Sequence, residues 1–129
     1  MSSGIELHDS RVSHLDMTDG IVTIHFSHVY IHKSKGRPGQ AQGTGWSQEA
    51  RLILSDAAIS GPMPTLPNTI SEGFVEVGGV RHERLPLPFK RRVEAKVWLA
   101  FLDGTSTTIT GKRPFIELLG KPIYLEDFP

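Results

Sequence analysis

The sequence predicts an all-β fold, a single-domain antiparallel β-sandwich or barrel-like structure with little or no helix. Apolar and polar residues alternate with a period of two through most segments, which is the pattern of half-buried strands. Nine prolines and thirteen glycines divide these segments at the short spacing typical of sandwiches and barrels. A chain of 129 residues can bury a core without disulfides, so we expect one domain over residues 1–129.

The first predicted element is a hairpin over residues 8–26, "HDSRVSHLDMTDGIVTIHF". Asp19 and Gly20 suit the two positive-φ positions of a two-residue turn. This turn would place Leu15 opposite Ile24, whereas a slip of one residue would send the apolar side chains to opposite faces. A slip of two residues, through a four-residue loop, preserves the faces and stays open as an alternative.

The second strand continues as "SHVYIH", after which residues 33–45 lose the periodicity to glycine, glutamine and charge. We interpret residues 33–45 as a connecting loop that ends at Trp46. The following "EARLILSDAAIS" resumes as a strand with Leu52 and Leu54 on one face. Three prolines in residues 61–69 cannot donate ladder hydrogen bonds, so this segment is predicted to be a connection rather than a strand.

Two more hairpins are predicted in the second half of the chain. "GFVEVGGVRHERLPL" turns at Gly78-Gly79, and "RRVEAKVWLAFLDGTSTTITGK" turns at Asp103-Gly104. The second contains a strand that is apolar on both faces toward its end, which is typical of a central strand covered on both sides. "FIELLGKPIYLEDF" predicts two short segments around Gly120 and a docked carboxyl terminus, and in "FIELLG" a short helix competes with a strand. The side chains predicted to be buried here are Phe74, Val77, Val80, Leu85, Val93, Ala95, Val97, Leu99 and Phe101.

Composition and charge exclude several classes of function. Fourteen basic residues balance fourteen acidic ones, so no net field attracts nucleic acid or an anionic membrane, and we expect neither as a partner. Local basic clusters such as Lys33, Lys35 and Arg37 are interpreted as solvated charges. The chain has no cysteine, which removes thiol catalysis and thiolate metal sites. No segment has the length of a membrane span and the first residues do not resemble a signal peptide, so we expect a cytoplasmic protein.

The sequence contains no motif of a known catalytic site, neither a nucleophile elbow, a Walker loop, a dinucleotide fingerprint nor HExxH. "HDS" at residues 8–10 has the residue types of a hydrolase triad, but in an extended chain His8 and Ser10 share a side while Asp9 points away. We therefore assign Asp9 or Ser10 a structural role, in which the side chain bonds nearby backbone groups. We expect no catalytic residue and no cofactor.

The opening hairpin also suggests a metal site, which is the alternative hypothesis for function. In the two-residue register His14 lies opposite His25, and Asp16 belongs to the next pair on the same face. Two imidazoles and a carboxylate this close can reach one metal ion. Under this alternative the protein is a small-ligand or metal-binding domain, with hydrolysis as a reaction it could catalyse. The competing interpretation is that His14 and His25 are a solvent-facing polar pair with no chemical role. The same register puts Ser13 opposite Phe26.

The candidate recognition residues lie on the second strand and after it. His28 and His32 share a strand face with Tyr30 while His25 faces the other way, so "HFSHVYIH" does not gather a three-histidine site. Backbone amides of "GRPGQAQGTGW" can approach an anion, although a flexible connection is the favoured interpretation. A tryptophan at its base suits recognition, and a core anchor is an equal alternative for Trp46. The candidate partner-binding residues are Trp46, Arg37, His28, Tyr30 and His32.

Four stretches, "IELHDSRV", "YIHKSKGRPG", "GTGWSQEARL" and "ELLGKPIYLEDF", resemble a family of small uncharacterised bacterial proteins over most of the chain. The "LHDS" opening is similar to that of some small immunity-type proteins that neutralise toxins. The resemblance carries over no catalytic residue. The leading prediction is therefore a noncatalytic domain that acts through protein contact, with itself as a homo-oligomer or with another protein.

Overall fold

The computed structural model describes residues 2–35 and 42–128, and these residues form one antiparallel sheet of eight strands. The predicted all-β fold is confirmed, since no segment within the described ranges is helical. The strands are β1 (Ser2–Thr18), β2 (Ile21–Ser34), β3 (Gly43–Ser60), β4 (Asn68–Val77), β5 (Val80–His82), β6 (Arg84–Leu87), β7 (Glu94–Phe101) and β8 (Ser106–Phe128).

The sheet closes on itself into a barrel of six strands. Its strand order is β5-β4-β7-β8-β3-β2-β1-β6, and β1 also pairs with β4. The closing pairs are Arg11 with Thr69 and Val12 with Asn68. The ring β4-β7-β8-β3-β2-β1 therefore has no open edge where these two pairs close it. β5 forms a hairpin with β4, and β6 pairs with the amino-terminal part of β1.

The barrel interior is filled by alternate side chains of the ring strands. Leu52 and Leu54 lie inside as predicted and are fully buried. Val80 and Val93 were expected in the core but are 56% and 46% exposed, because Val80 lies on β5 outside the ring and Val93 precedes β7. The largest fully buried side chains are Phe26, Phe89, Phe101, Ile5, Leu7, Ile24, Ile31, Leu52, Leu54, Ile70, Leu85 and Leu99.

β7 is a central strand, as predicted, but only its inner face is covered. It pairs with β4 on one side and β8 on the other, and Val97 and Leu99 are buried. On the outer face Trp98 is half-buried and packs against Phe74, with ring centroids 5.5 Å apart. The prediction of cover on both faces is wrong, because the single sheet curls around one core and none of the described strands forms a second layer outside it.

The opening hairpin turns where the sequence predicts. Asp19 and Gly20 have φ values of 52° and 75°, the two positive values that a tight hairpin turn requires. Leu15 lies opposite Ile24. The two-residue turn is thus confirmed over the four-residue alternative.

A β-bulge at Ser13 corrects the register prediction further from the turn. The register passes from His14 opposite His25 to Val12 opposite Phe26, so Ser13 is the extra residue. Its hydroxyl donates to the carbonyl oxygen of His25 at 3.1 Å. The expected pairing of Ser13 with Phe26 is therefore wrong.

A second irregularity of β1 contains the "HDS" segment. The register with β2 jumps between Glu6 and Arg11, and Asp9 within it has a φ of 69°. Ser10 is buried, its hydroxyl donates to the carbonyl oxygen of Glu6 at 2.7 Å, and it accepts from the backbone N–H of Tyr30 at 3.2 Å. The predicted structural role is confirmed for Ser10.

β2 and β3 extend further than the sequence predicts. A loop is expected over residues 33–45, yet Lys33 pairs with Thr44 and Ser34 with Gly43. Ladder hydrogen bonds do not require an apolar alternation, which is why the pattern failed here. Gly43 is required at this position, because a Cβ atom would collide with the carbonyl oxygen of Lys33.

β8 is one strand of 23 residues rather than two segments around Gly120. Gly120 lies within it at a φ of 70°, where the register with β3 is irregular. β3 covers one edge of residues 117–128, and no described strand pairs with the other edge. The carboxyl-terminal part is thus docked through its backbone, while most of its side chains are exposed.

The remaining connections agree closely with prediction. No strand occupies residues 61–67, and β4 includes the last two residues of the predicted connection, 68 and 69. Val77 pairs with Val80 across the Gly78-Gly79 turn. Within residues 2–35 and 42–128, no helix has the length and apolarity to cross a membrane.

Candidate functional site

The predicted recognition residues lie on two faces of the sheet. Trp46 is opposite Ile31 of β2 and packs against the core. Tyr30 and His32 flank the buried Ile31 along β2, so their side chains are on the outer face. Arg37 lies outside the described residues. The structure therefore does not bring Trp46 together with Tyr30 and His32.

His25 and His28 lie on the same outer face, contrary to strict alternation. Phe26 and Val29 are both buried, and the register of β2 with β3 is irregular between them. This irregularity shifts the alternation by one residue. The prediction that His25 and His28 face opposite sides is therefore wrong.

Tyr30 and His32 are engaged within the protein. Tyr30 Oη donates to Glu126 Oε1 at 2.6 Å, and burial together with this hydrogen bond raises the pKa of Tyr30. His32 is 4% exposed and stacks on Phe128 with ring centroids 4.5 Å apart. His28 Nε2 lies 3.3 Å from a backbone carbonyl oxygen of β1. Tyr30 and His32 thus tie the end of β8 to β2, and a partner-binding role for them stays a prediction.

Trp46 lines a cleft of about 600 Å³ at the far end of β2 and β3. β8 contributes Asp127 and Phe128 to its wall. Lys33 Nζ lies 4.6 Å from the centroid of the Trp46 ring, a cation–π distance. The indole N–H donates to Thr44 Oγ1 at 2.7 Å, which leaves the hydroxyl hydrogen of Thr44 for another acceptor. The volume is in the range of ligand pockets.

The cleft carries an excess of positive charge. Lys33 and Lys35 both line it, and neither is within ion-pair distance of a described carboxylate. Asp127 is the acidic residue of the lining, and it accepts a hydrogen bond from the Tyr124 hydroxyl at 2.6 Å. This bond raises the pKa of Tyr124. The two ammonium groups therefore remain available to an anion.

A larger cleft of about 800 Å³ beside β7 lacks this combination. No aromatic side chain is among the described residues that line it. Its charged side chains carry both signs, and they are Asp56, Glu76, Glu94, Lys96 and Lys112. Since it offers no aromatic anchor and its lining carries charges of both signs, the Trp46 cleft is the better candidate for recognition.

The second candidate site is the histidine–carboxylate cluster of the opening hairpin. His14 lies opposite His25 as predicted, and their imidazoles stack with centroids 3.9 Å apart at 14°. Asp16 Oδ2 is 2.9 Å from His25 Nε2 and 3.9 Å from His14 Nε2. One possible ligand atom from each of the three residues lies within 4.8 Å of the others. The structure therefore brings together the three side chains that the metal hypothesis names, and their role stays a prediction.

Sequence reasoning missed residues at both sites. Ser13 contacts the histidine pair only because of the bulge, which has no evident signal in the sequence. Lys33 and Lys35 are visible as a basic cluster, but their position beside Trp46 depends on the extended β2–β3 ladder. Asp127 reaches the cleft through the pairing of β3 with the end of β8, a contact between distant parts of the chain.

Comparison of the chain with protein-family models, with curated proteins and with solved structures finds no match. The function is therefore inferred from the geometry of the two sites.

Proposed function

We propose that this protein is a noncatalytic recognition domain that binds an extended acidic peptide segment of a partner protein in the cleft beside Trp46. The observation that carries the proposal is a cleft lined by two lysines, Lys33 and Lys35, that no described carboxylate neutralises, with Lys33 Nζ 4.6 Å from a half-buried indole. A peptide that places a carboxylate beside an apolar side chain complements both features.

Each side chain of the cleft has a distinct role in this proposal. Lys33 and Lys35 pair with carboxylates of the peptide, and the ring of Trp46 packs against its apolar side chain. The Thr44 hydroxyl, which already accepts from the indole N–H, donates to a peptide carbonyl or carboxylate oxygen. The bond from Tyr124 to Asp127 limits the repulsion between that carboxylate and an acidic ligand.

Exposed apolar side chains near the end of β8 favour a peptide over a smaller ligand. Ten large apolar side chains are exposed in the described part of the chain, and four of them belong to residues 118–125 of β8. Tyr124 packs edge-on against Trp46, with ring centroids 5.4 Å apart, so it extends the aromatic surface available to a peptide. The four are Leu118, Ile123, Tyr124 and Leu125.

The open edge of β8 is a poor template for strand addition. Pro122 has no N–H to donate, and the register around Gly120 is irregular, both of which interrupt a hydrogen-bonding ladder. We therefore assign recognition to side chains in the cleft rather than to backbone pairing along this edge.

Tryptophan fluorescence tests the proposal directly. The chain has two tryptophans, so a Trp98→Phe background leaves Trp46 as the reporter. The probe is a synthetic blocked pentapeptide that alternates glutamate with phenylalanine. We expect saturable quenching or enhancement of Trp46 emission, with an affinity that falls as salt rises. The double variant Lys33→Gln, Lys35→Gln should weaken binding by about tenfold or more, since hydrogen bonds to charged groups are worth roughly 1.5–3 kcal/mol.

Lys90→Gln is the matched control for this experiment. Lys90 Nζ lies 5.6 Å from the centroid of the Phe115 ring, so it makes the same kind of contact outside the cleft. This variant should bind the peptide as the parent does. Equal binding of a peptide with glutamine in place of glutamate, or an unchanged affinity of the double lysine variant, would contradict the proposal.

Size-exclusion chromatography with light scattering separates a partner protein from a second copy of this chain. We expect a monomer whose elution does not depend on Lys33 and Lys35. If the parent is a dimer and the double lysine variant is not, the cleft binds a second copy of this chain rather than a peptide of another protein. The cytoplasmic location also stays a prediction, which fractionation of native cells checks.

A further inference from the structure

We propose that His14, Asp16 and His25 form a binding site for one divalent transition-metal ion, Zn²⁺ above all. The site lies about 26 Å along β2 from Lys33, since eight residues separate His25 from that lysine at roughly 3.3 Å each. It is therefore distinct from the peptide cleft and does not depend on the function proposed above.

The possible ligand atoms lie close together. The nearly parallel imidazoles of His14 and His25 both present Nε2 to one oxygen, Asp16 Oδ2, at 3.9 and 2.9 Å. The cross-strand register fixes both Cβ atoms, and Asp16 follows on the same face of β1. Small side-chain rotations suffice to bring two nitrogens and one oxygen to a common ion, because the three atoms already lie within 4.8 Å of one another.

Ser13 assigns the position of the proton on His14. The single hydroxyl hydrogen of Ser13 is donated to the carbonyl oxygen of His25 at 3.1 Å. Ser13 Oγ also lies 3.1 Å from His14 Nδ1, and this contact then needs the hydrogen on Nδ1. Neutral His14 therefore carries its lone pair on Nε2, the atom that faces Asp16. This is the outer-shell contact that orients metal-binding histidines.

The metal ion replaces a hydrogen bond of the cluster. In the free protein the contact between His25 Nε2 and Asp16 Oδ2 is a hydrogen bond of 2.9 Å. A metal ion bonded to both groups takes the place of this hydrogen bond, and the neutral His25 ring then carries its hydrogen on Nδ1 and its lone pair on Nε2. The His14 and Asp16 side chains are 57% and 59% exposed, which gives an ion direct access.

The ligand set determines the class of ion. Two imidazole nitrogens and one carboxylate oxygen suit Zn²⁺, Cu²⁺, Ni²⁺ and Co²⁺, whereas Ca²⁺ and Mg²⁺ prefer all-oxygen sites. Three protein ligands leave at least one coordination position for water or for a group from outside.

Calorimetric titration of the untagged chain with Zn²⁺ tests the site. We expect one ion per chain with micromolar affinity, and at least a tenfold loss in each of the variants His14→Ala, His25→Ala and Asp16→Asn. His8→Ala is the matched control, because His8 lies on the same strand and is 55% exposed, nearly as much as His14. It should bind Zn²⁺ as the parent does.

The role of Ser13 has its own test. Ser13→Ala keeps all three ligands but should weaken Zn²⁺ binding by about tenfold, the low end of the effects seen for outer-shell partners. Ser13→Thr retains the hydroxyl and should restore most of the affinity. The ¹⁵N chemical shifts of the His14 ring should show the Nδ1–H tautomer in the parent and a mixture of tautomers in Ser13→Ala.

Three results would overturn the inference. One is the absence of Zn²⁺ binding at micromolar concentrations in the parent chain. Another is an affinity that His14→Ala and His25→Ala leave unchanged. A third is a parent His14 that is protonated on Nε2, which would remove the assignment of Ser13 as a positioning residue and of Nε2 as the ligand atom.

Discussion

The two ends of β2 carry the two candidate sites. One site is formed by strands that are adjacent in sequence, and the other by strands that are far apart in sequence. At the hairpin end, His25 meets His14 across a turn of two residues. At the far end, β2 meets β3 and the last residues of β8, and the bond from Tyr30 to Glu126 joins positions 96 residues apart. The hairpin site is therefore fixed by local turn chemistry, whereas the cleft exists only when β3 has paired with both β2 and the end of β8.

This difference predicts that each site can be damaged without the other. A change at the turn should disturb the metal ligands before it disturbs the cleft. A change in the β2–β3–β8 ladder should do the reverse. Matched glycine substitutions at the two ends provide that comparison, because each glycine is required for a different physical reason.

Gly43→Ala should have the largest effect, at the far end. The new Cβ atom would collide with the backbone carbonyl of Lys33, which cannot move without separating β2 from β3. Overpacking of this kind costs about 2–3 kcal/mol. Urea unfolding should show this loss, and peptide binding to the cleft should weaken in parallel. Zn²⁺ affinity at the hairpin should stay within twofold of the parent, and an equal loss at both sites would show that the two ends are coupled.

Gly20→Ala should have a smaller effect, concentrated at the hairpin end. Gly20 has a φ of 75°, and beyond its chain neighbours no atom lies within 4 Å of the position that a Cβ atom would take. The penalty is therefore backbone strain rather than collision, and a left-handed alanine costs about 1 kcal/mol. We expect that loss in urea unfolding and a weaker Zn²⁺ affinity, with the peptide affinity unchanged. Asp19→Ala would serve as a second test of the turn, since Asp19 occupies the other positive-φ position.

The same contrast explains what the sequence could predict. The turn at Asp19-Gly20 and the pairing of His14 with His25 follow from turn chemistry and apolar alternation, and the structure confirms both. The bulge at Ser13 and the irregularity between Phe26 and Val29 follow from neither. Both are β-bulge irregularities of the kind that bend strands in barrels. A period-two pattern of apolar residues does not reveal where they occur.

The structure at the far end of β2 could not be predicted from the sequence for a related reason. Polar and glycine residues in a ladder look like a loop, because their backbone pairing leaves no apolar alternation to detect. Lys33 opposite Thr44 is such a pair. The burial of His32 under Phe128 depends on β8 reaching the same end of the sheet. Contacts of that range cannot be read from local patterns.

Tyr30→Phe should have the smallest effect on the free energy of unfolding at neutral pH. At alkaline pH it should distinguish the stability of the far end of β2 from that of the hairpin end. The variant loses the hydrogen bond to Glu126, which is exposed to solvent and is therefore worth about 0.5–1.5 kcal/mol rather than the larger value of a buried bond to a charged group. Burial, followed by this bond, raises the pKa of Tyr30, so the folded state favours the neutral phenol. That contribution to stability is complete below the ordinary tyrosine pKa of about 10 and is lost as the pH rises above it.

Urea unfolding at pH 7 and at pH 11 measures this contribution, since the other titrating groups are common to the parent and the variant. The parent should lose more stability than Tyr30→Phe between the two pH values. Both tyrosines of the chain, Tyr30 and Tyr124, lie at the far end of β2 and hydrogen-bond to carboxylates of β8. The stability lost at alkaline pH should therefore be lost at this end first. Hydrogen exchange at high pH should then open the pairing of β3 with residues 123–128 before the hairpin around Gly20. Simultaneous opening of the two ends would mean that closure of the barrel, rather than the turn, holds the hairpin site together.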